Sequence, residues 1–263
     1  MSIMKNFTIP CIASVLIFGS PFVAAEEETF EISANVALSS GYLFYGASQT
    51  AGGTNESSGA PAISGGFDVA APWDIFGGKA YAGTWASSVE WGGGTNQNEA
   101  SIELDYYGGI AGDSIFNTGL SWDVGIWAYT YPNQDGEGDE DYDYIEYYFN
   151  TGYTFETLPL SPALSVGIYF SPDYFGTLAE STHVPFGLDL SLPYDVGLSL
   201  GGGLLDVKSP TNDEYIYYSI GLSKAFFGVD LTAAWTGIDD GGSCANIQGT
   251  NCGGWQVSIS KAF

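Results

Sequence analysis

The densest group of residues that could bind a cation is an acidic run near the middle of the chain. Its members are Asp135, Glu137, Asp139, Glu140 and Asp141, followed by Asp143 and Glu146. Counted from Asp135, acids occupy positions 1, 3, 5, 7, 9 and 12, which is the ligand spacing of a calcium-binding loop. Position 6, where such a loop requires Gly, is Glu140. We therefore interpret the run as a solvated external loop and predict no metal site.

Five further acids alternate with apolar neighbours: Glu103, Asp105, Asp123, Asp189 and Asp230. Alternation with period two puts such residues on one face of a β-strand and their apolar neighbours on the other. Carboxylates on a shared face with few bases nearby repel one another or attract cations. These five side chains are therefore the candidate polar lining of the fold, and no cofactor is predicted.

The chain has one histidine, His183, which is the candidate base for an enzyme. Ser181 would share its face if the segment is a strand. However, no nucleophile elbow, a G-x-S-x-G pattern between a strand and a helix, is present. We predict that the chain has no catalytic residues and is not an enzyme.

Cys244 and Cys252 lie eight positions apart in a Gly-rich stretch. In an oxidising compartment such a pair favours a disulfide over two free thiols. A metal site is less favoured because no second cysteine pair or histidine lies nearby. The third cysteine, Cys11, falls in the predicted export signal.

Composition and charge exclude several classes of partner. Acids outnumber bases 31 to 5, which gives a net charge of -26. A nucleic-acid-binding protein needs a basic surface to neutralise phosphates, so no nucleic-acid partner is expected. Charged residues make up 14% of the chain, against about 25% in an average soluble protein.

Residues 1–25 are predicted to be a Sec-type signal peptide that is cleaved after Ala25. Lys5 supplies the positive start and residues 9–18 the short apolar stretch. The alternative, an N-terminal membrane anchor, is disfavoured because a membrane-spanning helix needs about 20 apolar residues. Residues 26–263 are then one exported domain.

Period-2 segments separated by turn residues follow the signal. In one of them Ile102, Leu104 and Tyr106 share a face opposite Glu103 and Asp105. Predicted strands lie at 30–46, 61–72, 79–91, 99–111, 119–132, 142–156, 163–176, 181–193, 195–208, 213–226, 228–239 and 253–263. Most are long enough to cross a membrane at a tilt, which takes about 9–11 residues. The fold class predicted is all-β: a transmembrane, antiparallel, up-and-down β-barrel of about 12 strands.

Short and long connections alternate between these strands, as they do in bacterial outer-membrane barrels. The short ones, near 73–78, 112–118, 157–162, 193–195 and 226–228, would be periplasmic, together with both termini. Aromatic residues crowd the strand ends, which is typical of interfacial girdles. Those singled out are Trp122, Trp127, Tyr129, Tyr131, Tyr142, Tyr144, Tyr147 and Tyr148. A soluble protein with an aromatic core or a carbohydrate-binding face is the alternative.

Several motifs resemble the TorF family of bacterial porins. They include Ser39-Ser40-Gly41-Tyr42-Leu43-Phe44-Tyr45-Gly46-Ala47-Ser48-Gln49-Thr50, and the C-terminal Ser258-Ile259-Ser260-Lys261-Ala262-Phe263. A terminal Phe263 at the end of an alternating strand is similar to the signal read by the barrel assembly machinery. The first motif departs at Tyr45, where the family tends to carry arginine. The resemblance covers most of residues 30–263.

The resemblance implies a porin-like channel in the bacterial outer membrane, and the acidic face favours cations and small solutes. The alternative is a non-conducting barrel whose loops bind a partner or support the envelope. Expected partners are outer-membrane lipid and lipopolysaccharide, the barrel assembly machinery during biogenesis, and small solutes. The acidic loop could also bridge divalent cations to outer-leaflet lipid.

Overall fold

The computed structural model describes residues 29–50, 59–91, 100–132, 142–176, 178–208, 213–239 and 252–263. Its strands are β1 (Glu31–Ser39), β2 (Leu43–Phe44), β3 (Ala47–Ser48), β4 (Ala62–Ala70), β5 (Lys79–Ser88), β6 (Ile102–Gly112), β7 (Ser121–Thr130), β8 (Tyr144–Thr154), β9 (Ala163–Ser171), β10 (Ser181–Leu192), β11 (Val196–Val207), β12 (Asp213–Phe226), β13 (Val229–Asp239) and β14 (Gly254–Ala262). Single 3₁₀ turns occupy Ile115–Asn117 and Tyr174–Gly176. No helix in these ranges is long and apolar enough to cross a membrane.

Twelve of the strands form a closed antiparallel barrel in the order β1-β14-β13-β12-β11-β10-β9-β8-β7-β6-β5-β4. Each strand pairs with its neighbours in the chain, and β1 closes the ring by pairing with both β4 and β14. The predicted all-β, up-and-down barrel of about 12 strands is therefore confirmed. Most of the predicted strands agree with the observed ones to within two or three residues at each end.

The two faces of the wall differ because side chains alternate along each strand. On β6, Ile102 and Tyr106 are exposed on the outside, whereas Glu103 and Asp105 are buried inside. The same alternation runs along β14, where Trp255, Val257 and Ile259 are exposed. The outside of the barrel is thus predominantly apolar.

Five short connections, the start of β1 and the end of β14 lie at one end of the barrel, which we call the terminal end. The other end, the loop end, carries the six remaining connections. This arrangement follows from the even number of strands in an up-and-down ring. Each of the acids Asp135, Glu137, Asp139, Glu140 and Asp141 lies outside the described residues, and so do residues 1–28.

Two predicted strands extend too far at their C-terminal ends. The strand expected at 30–46 ends at Ser39, and the chain turns into the barrel. Residues 41–50 are all buried, and β2 and β3 form a small hairpin among them. We call residues 40–50 the lumen hairpin. Similarly, the strand expected at 163–176 ends at Ser171, before the 3₁₀ turn.

The girdle interpretation is also wrong for several aromatic residues. The buried rings of Tyr129, Tyr144 and Tyr148 are on the inner face, as is the ring of Trp127. Trp127 stacks on Tyr107 with a centroid distance of 4.1 Å, and Tyr129 stacks on Tyr144 at 4.5 Å. Trp127 and Tyr129 share a strand face with Asp123, and Tyr144 and Tyr148 share one with Glu146, so the alternation itself places these rings on the inner face.

Candidate functional site

The lumen hairpin turns at Tyr45 and Gly46, which have φ angles of 46° and 84°. A two-residue turn with positive φ at both positions has the type I′ geometry that suits tight β-hairpins. Gly46 is required for a second reason. A Cβ atom there would lie 2.8 Å from the Cβ of Tyr217 on β12, which is closer than such atoms approach.

Contacts to strands on opposite sides of the ring place the hairpin inside the lumen. The Tyr42 hydroxyl donates to Glu103 on β6 (2.6 Å), and the Tyr45 hydroxyl donates to Glu146 on β8 (2.7 Å). From the other side, the Tyr215 hydroxyl of β12 donates to the carbonyl of Tyr45 (2.7 Å). The hairpin therefore bridges the barrel near its loop end.

Backbone hydrogen bonds also tie the hairpin to β14. The Gly253 amide donates to the carbonyl of Gly46 (2.7 Å), and Ala47 forms an isolated β-bridge with Cys252. The Gln256 side-chain amide donates to the carbonyl of Gly41 (2.7 Å). These bonds satisfy polar backbone groups that would otherwise be buried without partners.

Gln49 anchors the far end of the hairpin. The Trp91 indole donates to its side-chain oxygen (2.8 Å), and the Glu90 amide donates to its carbonyl (2.7 Å). The Gln49 amide donates to the carbonyl of Tyr42 (2.7 Å). The hairpin is thus held along its whole length.

Three buried acids surround the hairpin on one side of the lumen: Glu103, Asp105 and Glu146. Each is at most 1% exposed. Tyr129 adds a second hydroxyl to the same Glu146 oxygen that accepts from Tyr45, at 3.0 Å. We call these acids with Tyr42, Tyr45 and Tyr129 the acid–tyrosine cluster.

Tyrosine hydroxyls, and not basic side chains, donate hydrogen bonds to Glu103 and Glu146. Within the described ranges, lysine ion pairs are Lys79 with Glu31 and Lys208 with Asp206, both outside the cluster. One oxygen of Asp105 and one of Glu146 have no hydrogen-bond partner among the described residues. The cluster therefore offers carboxyl oxygens that a cation would stabilise and an anion would not.

His183 is a packing residue of the lumen wall. Its ring is fully buried, lies 3.8 Å from the ring of Tyr45 between centroids, and has Nε2 2.8 Å from the Tyr217 hydroxyl. The Ser181 hydroxyl has no hydrogen-bond partner in the part of the chain that the structure describes. There is thus no Ser–His hydrogen bond between these two described residues, and the expected absence of catalysis stays a prediction.

Towards the terminal end, further acids accept hydrogen bonds from hydroxyl groups. Asp123 accepts from Tyr81 (2.8 Å), and Asp189 accepts from Ser199 (2.6 Å). Asp68, which is not among the acids predicted from the sequence, accepts from Tyr107 (2.5 Å). Asp68 lies between Phe67 and Val69, which face outward, so the period-2 pattern of the sequence could have assigned it to the polar inner face.

Inward glycines make room for these tyrosines. A Cβ at Gly83 would collide with the ring of Tyr107, and a Cβ at Gly125 would collide with the Tyr148 hydroxyl. The tyrosine rings can therefore lie flat against the inner surface of the barrel wall. Together with Trp127, they fill the lumen along β5 to β9.

The sites predicted from sequence thus fall into separate groups. Glu103 and Asp105 lie beside the lumen hairpin. Glu146, which was expected in the acidic run, lies beside it as well. Asp123 and Asp189 lie nearer the terminal end. Asp230 borders a recess along β13, β14 and β1. Cys244 lies outside the described residues, so its disulfide with Cys252 stays a prediction.

A family match covers nearly all of the chain that forms this barrel. The family described as "Bacterial protein of unknown function (Gcw_chp)" matches residues 23–263. The chain belongs to the Gcw_chp family. No curated protein matches it. The lumen hairpin and the acid–tyrosine cluster are therefore features of a Gcw_chp chain.

Solved structures of outer-membrane proteins resemble this Gcw_chp chain. An outer membrane channel from Pseudomonas putida F1 is 8% identical, with 93% of this chain and 99% of that chain covered and a TM-score of 0.47. The β domain of the Bordetella autotransporter BrkA is 14% identical, with 89% and 98% covered and a TM-score of 0.39. OmpT of Vibrio cholerae is 8% identical, with 89% and 99% covered and a TM-score of 0.36.

Replacing Gly46 by Ala will loosen the hairpin. The left-handed conformation costs an L-residue about 1–2 kcal/mol, and the new Cβ must also displace Tyr217. We expect the amides of Gln49 and Gly253 to exchange with deuterium at least about tenfold faster, since about 1.4 kcal/mol is a factor of ten. Gly77→Ala is the matched control, because Gly77 has the same φ of 84° and a Cβ added there would meet nothing within 4 Å. Equal exchange in both variants would show that the turn does not depend on its lumen contacts.

Tyr45→Phe will destabilise the barrel by about 1–3 kcal/mol, because Glu146 loses a hydrogen bond inside the protein. Denaturant unfolding of the reconstituted protein measures the change in the free energy of unfolding. Tyr106→Phe, on the exposed outer face of β6, should change it by less than about 0.5 kcal/mol. If both substitutions have the same effect, the hydrogen bond to Glu146 contributes nothing to stability.

Proposed function

We propose that the chain is a bacterial outer-membrane barrel that forms a narrow, cation-favouring channel for small solutes, as its resemblance to the TorF porins implies. The observation that carries this proposal is the position of the lumen hairpin beside the inward-facing acids Glu103, Asp105 and Glu146. The hairpin limits the width of the path, and the acids set the sign of the charge that passes.

The outer surface supports the membrane location. Large apolar side chains such as Leu38, Ile168 and Ile220 are about half exposed on the outside of the barrel. A ring without free strand edges is the β-structure that can sit in lipid, because its backbone groups pair with each other. In this proposal the terminal end is periplasmic after signal cleavage, and lipopolysaccharide surrounds the loop end.

Lysine positions support the cation preference. Lys79 is on the inner face, but it forms an ion pair with Glu31 at 2.7 Å. Lys224 and Lys261 are on the outer face, and the ammonium of Lys261 lies 5.3 Å from the centre of the Phe263 ring. The acids Glu103, Asp105, Asp123, Asp189 and Asp230 are thus not matched by inward bases on the described strands.

A non-conducting barrel is the second candidate, and the burial of the hairpin favours it. Tyr45, Glu146, His183 and Tyr217 are each completely buried, so this part of the lumen is tightly filled. Such a barrel would act through its loops or through the envelope. Planar-bilayer recordings separate the two candidates, since the second has no conductance with the hairpin in place.

Ile220→Lys will reduce stability in a lipid bilayer by about 2–4 kcal/mol, the cost of a lysine near the middle of the lipid-facing surface. The neighbouring Ser219→Lys introduces the same charge on the inner face of β12 and should cost much less. Unfolding of both variants from lipid vesicles measures the difference. Similar losses in the two variants would contradict a lipid-exposed outer face.

Replacing both Glu103 and Glu146 by Gln will lower the cation preference, because two acidic groups beside the lumen hairpin are replaced by neutral ones. The reversal potential in a tenfold KCl gradient measures this preference and should move towards zero. The control is Glu214→Gln, which removes an exposed carboxylate from the outer face of β12. Anion preference in the unsubstituted protein would refute the proposed selectivity, and absence of current would favour the second candidate.

A further inference from the structure

Each of the five short connections at the terminal end presents a large apolar side chain in the left-handed backbone conformation. These residues are Phe76, Phe116, Leu160, Tyr194 and Phe227, with φ angles between 48° and 68°. The three phenylalanines are 92–94% exposed and Tyr194 is 85% exposed. A bulky residue with positive φ is uncommon, because its Cβ crowds the backbone. Its recurrence in every turn at one end indicates that these side chains have a use there.

Two of the turns repeat the geometry of the lumen hairpin. Phe76-Gly77 and Phe227-Gly228 are two-residue loops with positive φ at both positions, as is Tyr45-Gly46. Asn-Gly is the favoured sequence for this type I′ geometry, so an aromatic residue at the first position needs compensation. In the lumen hairpin the Tyr45 ring is completely buried. The rings of Phe76 and Phe227 are exposed, so their compensation must come from outside the chain.

The exposed turns continue the apolar outer face of the wall. The ring of Phe227 meets that of Phe226 on β12 edge to face, with centroids 4.3 Å apart. Phe30, before β1, meets Trp73 of the β4–β5 connection in the same way at 5.4 Å. The turns are also distributed around the whole rim, because they join every second pair of strands. A planar lipid surface contacts the whole of such a rim, whereas a globular partner would contact one sector.

Charged residues at this end match a headgroup that carries both signs of charge. Lys224 and Lys261 are on the outer face of β12 and β14 near the terminal end, where long lysine side chains can reach lipid phosphates. Asp74, Asp113 and Asp195 are exposed in the turns themselves. A zwitterionic phospholipid supplies a phosphate for the lysines and an ammonium for these acids.

We propose that the five turns lie in the headgroup layer of a zwitterionic phospholipid leaflet. The terminal end of the barrel is then anchored in the membrane surface and does not project from it. Aromatic rings favour this layer, because it is apolar on one side and wet on the other. The inference rests on the proposed membrane location, and it adds where along the barrel the membrane ends.

Fluorine NMR on the full chain in phosphatidylcholine vesicles tests the proposal. Stop-codon suppression places 4-trifluoromethylphenylalanine at Phe76 or Phe227, which keeps the ring, and at Leu178 for comparison. Leu178 is the matched control because it is 87% exposed with a φ of 59°, but lies at the loop end. Two relaxation agents are compared: phosphatidylcholine spin-labelled near its headgroup, and a gadolinium chelate in the water.

We expect the ratio of lipid-induced to chelate-induced relaxation to be at least about threefold higher at Phe76 and Phe227 than at Leu178, as for groups buried at the headgroup boundary. A ratio at these two turns no higher than at Leu178 would overturn the proposal. Gel mobility with and without boiling checks that each labelled chain forms the barrel.

The same probe at Ile220, on the outer face of β12, separates this inference from the proposed function. If Ile220 is shielded from the chelate while Phe76 and Phe227 are not, the barrel is in the membrane and the anchoring turns alone are refuted. If the chelate reaches Ile220 as well, the membrane location itself is refuted.

Discussion

The closure of the strand ring by β1 is the constraint on which the rest of the molecule depends. Because β1 pairs with β4 on one side and with β14 on the other, no strand of the described ring has an unpaired edge. Closure also divides every strand into an outer and an inner face. The outer face of the wall is predominantly apolar, so the polar side chains of the wall are concentrated on its inner face.

A ring of twelve strands encloses more space than its wall side chains fill, and this chain fills the space unevenly. Along β5 to β9, tyrosine and tryptophan rings lie over inward glycines, and their hydroxyls satisfy acids such as Asp68 and Asp123. Along β13, β14 and β1, many inner residues are small and polar, such as Thr232, Ser258 and Ser260. Aromatic rings are therefore concentrated on one side of the lumen.

The lumen hairpin connects these two sides. Tyr42 and Tyr45 reach the acids of β6 and β8, while Gly41, Gly46 and Ala47 are bonded to the start of β14. The Tyr45 hydroxyl donates a hydrogen bond to Glu146 and brings no positive charge to it. The net charge of this part of the lumen therefore depends on the acids alone.

Period-two alternation determined the class of fold, the number of strands and most of their ends, because the face of a strand on which a residue lies is a local property. The same alternation assigned Glu103, Asp105, Asp123, Asp189 and Asp230 to one polar face. It did not identify the departure of residues 40–46 from the wall, because Tyr, Leu and Phe have the same strand propensity in a wall or in an inner hairpin. Only the tertiary structure decided that Tyr45 meets Glu146, since their contact joins residues 101 positions apart and requires the ring to close first.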